Sequence, residues 1–234
     1  MKPLLVLAAF PVVLMGWASC SHSGTGHAAL PDPRAVDKSV PEYKNPFHPS
    51  TYAHFVARKD YRKTYDVYKD DTLLNRQPKK SRKIFVCLDE QRGQYLVDGL
   101  VAMDFPLSSG VKAYPTKTGD YAVISKKEDH TSNLYGKMYD AEGKCINYNA
   151  ESTDPIPEGG RFDGSPMPYW QRLTNAGLGL HVGKVRRHPV SHGCVRLPRN
   201  VAEILYRQTS IGTPVTIQKT PLPVPEAPVS YTHL

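Results

Sequence analysis

The chain has 234 residues, a formal net charge of +8 and 21 prolines. Because prolines and polar flanks occupy both ends, about 140 residues remain for a packed core, which excludes several large domains. The excess of basic side chains favours an anionic polymer or a membrane surface as partner, although a basic solvated face alone would give the same composition.

The first twenty residues are typical of an export signal. Lys2 precedes an apolar run, Pro3 to Met15, that is too short and too broken by proline to predict a membrane span. The following residues, Gly16 to Cys20, resemble a bacterial lipobox, in which the cysteine is acylated and becomes the mature N-terminus. We therefore expect a signal peptide over 1–20 with Cys20 as the lipidated residue; ordinary cleavage near Ser19 is the alternative.

Residues 21–80 are predicted to form a flexible to partly ordered tether. Ser21 to Lys44 is rich in Ser, Gly, His, Pro and charged residues and cannot bury enough apolar surface to offset chain entropy. From Tyr52 to Leu74, aromatic residues and valines recur among charges, which allows a helical or wrapping segment. At the other end, 220–234 is predicted to be an extended, proline-rich tail.

The region between the tether and the tail is predicted to be mainly β. The runs Ile84 to Leu88 and Gln94 to Val97 flank a polar turn, Asp89 to Gly93, and indicate a hairpin. Short strands at close spacing favour a sandwich or barrel over βαβ units. Further β-prone runs are Val101 to Leu107, Tyr121 to Ser125, Leu178 to Val182 and Pro214 to Gln218.

One helix is predicted near the C-terminus, from Pro198 to Gln208. Val201, Ile204 and Leu205 recur there at helical spacing, and Asn200 is the candidate N-cap. The predicted fold class is thus a mainly β sandwich or barrel with one packed helix.

The run Ser191-His192-Gly193-Cys194-Val195-Arg196, with His181 upstream, joins a potential nucleophile, base and cation. A thiol is mostly protonated at neutral pH, so a catalytic cysteine needs an imidazole or a positive field to hold it as thiolate. This pattern predicts an acyl-transfer site with Cys194 as nucleophile. Gly193 would permit a tight turn in which the amides of Gly193 and Cys194 point at the developing oxyanion.

A zinc site is the competing interpretation of the same residues. His181, His188, His192 and Cys194 are four possible zinc ligands, and thiolate with imidazole suits that metal. Their spacing matches neither a Cys-x-x-Cys nor a His-Glu-x-x-His pattern, so we expect no metal and no cofactor.

The other cysteines leave two possibilities open. Cys87 and Cys145 could form a disulfide in an oxidising compartment or remain two free thiols. Because Cys87 lies in a strongly β-prone run, a small buried apolar role is expected for it.

The catalytic motif resembles that of the L,D-transpeptidase catalytic domain family (YkuD-like), with its upstream His followed by Ser-His-Gly-Cys. Tyr114 to Val123 is similar to the family's Thr-Pro-x-Gly-x-Phe/Tyr turn and strand, and Gly212 to Ile217 resembles its closing strand. In family order, these elements span residues 82–219. In this chain Val182 and Gly183 follow the upstream His, where many members have Gly-Thr or Gly-Ser.

The resemblance implies a role for each residue around the nucleophile. It makes His181 the base and His192 a buried, hydrogen-bonded organiser of the turn, although His192 and Cys194 could also share a face of an extended segment. With Val182 present, its backbone carbonyl is the expected acceptor that fixes the His181 tautomer. Ser191 would be a structural hydroxyl at the substrate site.

Three further residues are predicted on the substrate side. Arg196 could bind a substrate carboxylate through a bidentate pair or hold a local acidic residue. Tyr169 and Trp170 follow a Pro-Met-Pro run and could wall a peptide groove or pack in the core.

The implied reaction begins with attack by Cys194 on the amide between residues three and four of a peptidoglycan stem tetrapeptide. D-alanine leaves, and an amine then attacks the thioester. If water attacks the thioester instead of an amine, the protein would be an L,D-carboxypeptidase or amidase. A non-catalytic wall-binding lipoprotein is the non-enzymatic alternative.

The expected partners are stem peptides and, through a lipid on Cys20, a membrane, with no nucleic acid. Ser21 after Cys20 resembles the pattern of outer-membrane lipoproteins, which indicates a periplasmic location.

Overall fold

The structure is a computed structural model that describes residues 32–39, 41–78 and 81–222. The predicted signal segment 1–20 with Cys20, and the tail from residue 223 onward, lie outside these residues. Within the described ranges, no helix has the length and apolar character needed to cross a bilayer.

The described part of the chain is mainly β, as predicted. Its helices are α1 (Tyr52–Ala57), α2 (Asp71–Asn75) and α3 (Arg199–Gln208). Its strands are β1 (Tyr68–Lys69), β2 (Arg82–Cys87), β3 (Arg92–Val97), β4 (Leu100–Pro106), β5 (Gly119–Ala122), β6 (Ser125–Lys127), β7 (Thr131–Tyr139), β8 (Cys145–Glu151), β9 (Arg161–Pro166), β10 (Trp170–Arg172), β11 (Gly179–Val182), β12 (Val195–Leu197) and β13 (Pro214–Gln218).

A six-stranded sheet with the order β1-β4-β3-β2-β13-β5 forms one side of the core. The predicted hairpin is confirmed as the antiparallel pair β2 and β3, but its turn ends before Gly93, which lies within β3. A side chain at Gly93 would lie 2.5 Å from the Phe105 ring, so close packing rather than a turn explains this glycine. Asp98 and Gly99, both at positive φ, form the two-residue turn into β4.

A four-stranded sheet with the order β12-β11-β10-β6 carries the catalytic motif. The predicted strand Tyr121 to Ser125 is divided between β5 and β6, which belong to different sheets. The chain passes from one sheet to the other between two adjacent residues. The Val123 amide donates to the Thr213 carbonyl, next to β13, and the Ile124 amide donates to the Arg172 carbonyl of β10.

Helix α3 packs behind this sheet against β11, as predicted. Val201, Ala202 and Leu205 are its buried residues. The predicted cap is wrong: Pro198 occupies the N-cap without a side-chain hydrogen bond, and Asn200 lies inside the first turn.

A three-stranded sheet with the order β8-β7-β9 was not predicted from sequence. Its large apolar residues Leu134, Ile146 and Tyr148 are exposed, and two glycines lie at its centre. A side chain at Gly136 or Gly164 would collide with the backbone of the neighbouring strand, so the sheet depends on close backbone approach.

The described part of the stretch predicted as a tether is packed on the domain. Strand β1 pairs with β4, and the hydroxyls of Tyr52 and Tyr61 donate to Asp104 at 2.6 and 2.7 Å. Asp104 also pairs with Arg92 at 2.7 Å, and both side chains are 0% exposed. We call residues 41–78 the N-terminal wrap, because they cover this buried ion pair.

Two residues of the stretch expected to be flexible, Lys38 and Tyr43, contact helix α1. Lys38 donates to the Val56 carbonyl at 2.6 Å, and the Tyr43 hydroxyl donates to the Ala57 carbonyl at 2.9 Å. These contacts were not foreseen because each joins residues far apart in sequence.

The two remaining cysteines are both free thiols. Cys87 is fully buried, as expected, and its thiol donates to the Lys219 carbonyl at 3.3 Å. Cys145 is half-buried on β8.

Candidate active site

The predicted nucleophile and base lie on neighbouring parallel strands. Strand β11 pairs with β12 so that Leu180 lies beside Val195 and His181 beside Arg196. This register places Cys194, just before β12, next to Gly179. Cys194 and His181 both line a cavity of about 470 Å³.

His181 is only 6% exposed and is held by the backbone. Its Nδ1 donates to the Val182 carbonyl at 2.7 Å, the contact expected from sequence, which leaves Nε2 as the proton acceptor. Burial lowers its pKa to about 4, and the charges of Arg196 and His130 add to this against the opposing Val182 hydrogen bond. The imidazole is therefore neutral at pH 7.

The Cys194 thiol rests as a protonated group. Burial raises its pKa, although a hydrogen bond from the Gly179 amide and the charge of Arg196 oppose the rise. The thiol donates to the Gly177 carbonyl at 3.3 Å rather than to His181. In this structure desolvation therefore outweighs the positive field that could hold Cys194 as a thiolate.

The turn before the nucleophile is built by Ser191 and Thr116. The Gly193 amide donates to Ser191 Oγ at 3.2 Å, and Ser191 Oγ donates to the Cys194 carbonyl. Thr116 Oγ1 donates to the Gly193 carbonyl at 2.6 Å and accepts from the Gly110 amide at 2.8 Å. Gly193 has φ +116°, a conformation that favours glycine.

This turn corrects one predicted role. The Gly193 amide cannot point at an oxyanion while it is bonded to Ser191, so of the two predicted amides only that of Cys194 is left. Ser191 also lines the cavity, but its hydroxyl is engaged within the turn.

His192 is not the buried, hydrogen-bonded residue that was predicted. It is half-buried and its ring contacts two aromatic rings that also contact each other, stacked on Tyr135 at 4.3 Å and tilted against Tyr114 at 4.9 Å. Burial lowers its pKa, with Arg196 contributing in the same direction. His192 therefore forms part of an aromatic wall of the cavity.

Arg196 faces the cavity without an acidic partner among the described residues. Its aliphatic stem lies over Gly183, where an added Cβ would lie 2.7 Å from Cγ of Arg196. Two partners were predicted for Arg196, a local acidic residue and a substrate carboxylate. The local acidic residue is not observed among the described residues, so the guanidinium is available to a ligand.

The predicted aromatic pair is divided between two faces. Trp170 lines the cavity and packs beside His181, with ring centroids 5.9 Å apart. Tyr169, at φ +54°, instead packs on Tyr206 of α3 at 5.6 Å. Only Trp170 belongs to the cavity wall.

Sequence reasoning missed several residues that line the cavity, among them Tyr135, His130 and Arg172. Tyr135 stacks on His192, and the His130 ring lies 5.0 Å from that of Trp170. Tyr135 and His130 belong to the unpredicted segment around β7, and no motif marks either of them. Across the described residues, no group of three or more His, Cys, Asp or Glu side chains is arranged to hold a metal.

A sequence model of the L,D-transpeptidase catalytic domain (YkuD) matches residues 81–217, more than half of the chain. The chain is 31% identical over 121 residues to probable L,D-transpeptidase 3 of Mycobacterium tuberculosis, covering 49% of this chain and 38% of that protein.

Two solved structures are also similar to the chain. An L,D-transpeptidase from Mycobacterium smegmatis is 22% identical with a TM-score of 0.46, covering 59% of this chain and 58% of that one. L,D-transpeptidase 3 from Mycobacterium tuberculosis is 24% identical with a TM-score of 0.44, covering 59% and 61%. The chain spans less than two thirds of the length of these relatives. On the sequence match over 81–217, the chain belongs to the L,D-transpeptidase catalytic domain family.

Proposed function

We propose that this protein is a peptidoglycan L,D-transpeptidase that uses Cys194 to form a thioester. The observation that carries the proposal is one cavity lined by a thiol and a neutral imidazole whose free nitrogen is defined by the Val182 contact, in a chain of this family. A neutral imidazole is the form that can accept a proton.

In the first half-reaction, His181 Nε2 takes the thiol proton as the Cys194 sulfur attacks the carbonyl carbon between residues three and four of a stem tetrapeptide. The C–N bond then breaks, the proton passes to the leaving nitrogen, and D-alanine departs. The tripeptide remains bound to Cys194 as a thioester.

In the second half-reaction, an acceptor amine attacks the thioester carbonyl. His181 takes a proton from that amine and returns it to the sulfur, so that a new amide forms and the thiol is restored. The side-chain amine of a second stem gives a 3-3 cross-link, and a protein lysine gives covalent attachment to the wall.

The oxyanion that forms in both half-reactions needs a hydrogen-bond donor. The Cys194 amide is the proposed one, since the Gly193 amide is occupied by Ser191. Loss of one such donor typically lowers kcat by about 100-fold or more. The Arg196 guanidinium beside the thiol is the proposed ligand of a substrate carboxylate.

Mass spectrometry of the purified protein with a tetrapeptide donor tests the proposal. We expect a covalent tripeptide adduct, free D-alanine and a cross-linked product, all lost in Cys194→Ser. Cys145→Ser is the matched control, because it removes a half-buried thiol outside the cavity. Wild-type turnover by Cys194→Ser would overturn the mechanism.

The same measurement separates the alternatives. Free tripeptide without cross-linked product would identify a carboxypeptidase with the same thioester step. Binding of wall fragments with no adduct and no product would identify a wall-binding protein instead.

We also propose that the protein is exported and anchored in the outer membrane through a lipid on Cys20. The support is the lipobox-like run ending at Cys20, followed by Ser21. Cys20→Ala should move the protein from the membrane fraction to the soluble periplasmic fraction while activity on small muropeptides persists. A wild-type protein found soluble and unacylated would contradict the anchor alone.

A further inference from the structure

The cavity face of the four-stranded sheet presents two rows of residues across its strands. Pairing of β12, β11 and β10 aligns Arg196 with His181 and Trp170 in one row. The same register aligns Cys194 with Gly179 and Arg172 in the next row. Since side chains alternate between faces along a strand, both rows point into the same cavity. The nucleophile therefore has one arginine on its own strand and another two strands away.

The floor between Cys194 and Arg172 is the Trp170 indole. An added Cβ at Gly179 would lie 2.5 Å from the Trp170 ring, so the indole covers the position between them. With neighbouring strands about 4.8 Å apart, the backbones at Cys194 and Arg172 are separated by about 10 Å. That separation corresponds to a few residues of an extended peptide lying over the indole.

Three of the side chains that line the cavity are cationic. Lys117, Arg172 and Arg196 line it, and no aspartate or glutamate is among its described lining residues. None of these three side chains forms an ion pair or a hydrogen bond with another described residue. Among the described residues, these three cations therefore have no acidic side chain paired with them.

We propose that Arg172 is a specificity residue that binds a second, internal carboxylate of the donor peptide, upstream of the scissile amide, while Arg196 binds the terminal carboxylate. The inference rests on the proposed function and deepens it. A terminal carboxylate lies one residue beyond the scissile carbonyl, which suits the arginine on the strand of Cys194. An internal carboxylate lies farther along the peptide, which suits Arg172 beyond the indole. The enzyme thus selects donors with two free carboxylates over donors in which the internal one is a carboxamide.

The physical reason is the guanidinium fork, which matches a carboxylate through two charge-assisted hydrogen bonds. A carboxamide offers one acceptor and no charge to the half-buried Arg172. Hydrogen bonds to charged groups are strong enough for about 10-fold discrimination or more.

The test compares two tetrapeptide donors that differ only in a carboxylate or a carboxamide at the internal acidic residue. We expect wild-type kcat/KM to be at least about 10-fold higher for the carboxylate donor. In Arg172→Gln that ratio should fall towards one, and Arg172→Lys, which keeps the charge without the fork, should retain part of it. Discrimination against a terminal carboxamide should persist in both variants.

Lys127→Gln is the matched control, since it removes one cation from the same sheet face outside this cavity. Its ratio should equal that of the wild type. An unchanged ratio in Arg172→Gln, or equal losses in Arg172→Gln and Lys127→Gln, would overturn the proposal. If Arg172→Gln does not fold, the ratio measured with Arg172→Lys decides in the same way.

Peptide binding to Cys194→Ala protein, measured by calorimetry, separates this inference from the proposed function. Tighter binding of the carboxylate donor to Cys194→Ala, and loss of that preference when Arg172→Gln is added, supports the carboxylate site even if no turnover occurs. Turnover without discrimination in either assay refutes the site and leaves the transpeptidase intact.

Discussion

Protonation of His181 is expected to destabilise the fold at mildly acidic pH. Burial lowers the pKa of this histidine from its ordinary 6.5 to about 4, so the folded protein resists a proton that the unfolded chain accepts. Stability from the neutral side chain is complete above pH 6.5 and is lost as the pH falls towards 4. Between pH 8 and pH 5 the expected loss is about 2 kcal/mol.

The assay is urea unfolding of the wild type and of His181→Gln at both pH values. Glutamine does not bind a proton in this pH range. Between pH 8 and pH 5 the wild type should therefore lose about 2 kcal/mol more unfolding free energy than the variant. Subtracting the change in unfolding free energy of the variant from that of the wild type cancels the contributions of the carboxylates and the other histidines, which titrate in both proteins.

The same pKa predicts the acid limb of activity. Because His181 stays neutral until about pH 4, kcat/KM should not lose its base near pH 6.5. Equal pH dependence of stability in wild type and His181→Gln, together with an acid limb near pH 6.5, would refute the assignment of His181 as a buried, neutral base.

Three further substitutions test the turn, the aromatic wall and the wrap. Thr116→Val removes the hydroxyl that bonds the Gly193 carbonyl and should cost about 1–3 kcal/mol in urea unfolding, with a matching fall in kcat; unchanged kcat would contradict a role in shaping the turn. His192→Ala should lower Tm while adduct formation by mass spectrometry persists, and loss of the adduct without loss of Tm would make His192 catalytic instead. Tyr61→Phe removes a hydroxyl from the buried Asp104 and should cost about 1–3 kcal/mol without changing kcat/KM; a stability equal to wild type would show that the wrap contributes little.

The elements that could be predicted are those whose signals are local. The hairpin of β2 and β3 and the helix α3 follow from alternation and helical spacing, which neighbouring residues impose on each other. The sheet of β7, β8 and β9 was not predicted: its two central glycines, which serve close approach between strands, weaken a strand pattern, and several of its large apolar residues are exposed. The sequence allowed a wrapping segment over Tyr52 to Leu74 but not its docking place, because its partners Arg92 and Asp104 lie beyond it in the chain.

By itself, the sequence determined the chemical groups of the site: a cysteine preceded by glycine and serine, an upstream histidine and an arginine on the strand that follows the cysteine. Only the tertiary structure decided how they are used. Burial makes the Cys194 thiol and the His181 imidazole neutral, and Ser191 occupies the Gly193 amide. Register across three strands places Arg172 in the same row as Cys194, two strands away. Desolvation, hydrogen-bond competition and strand register all depend on residues distant in the chain, so no local pattern could have specified them.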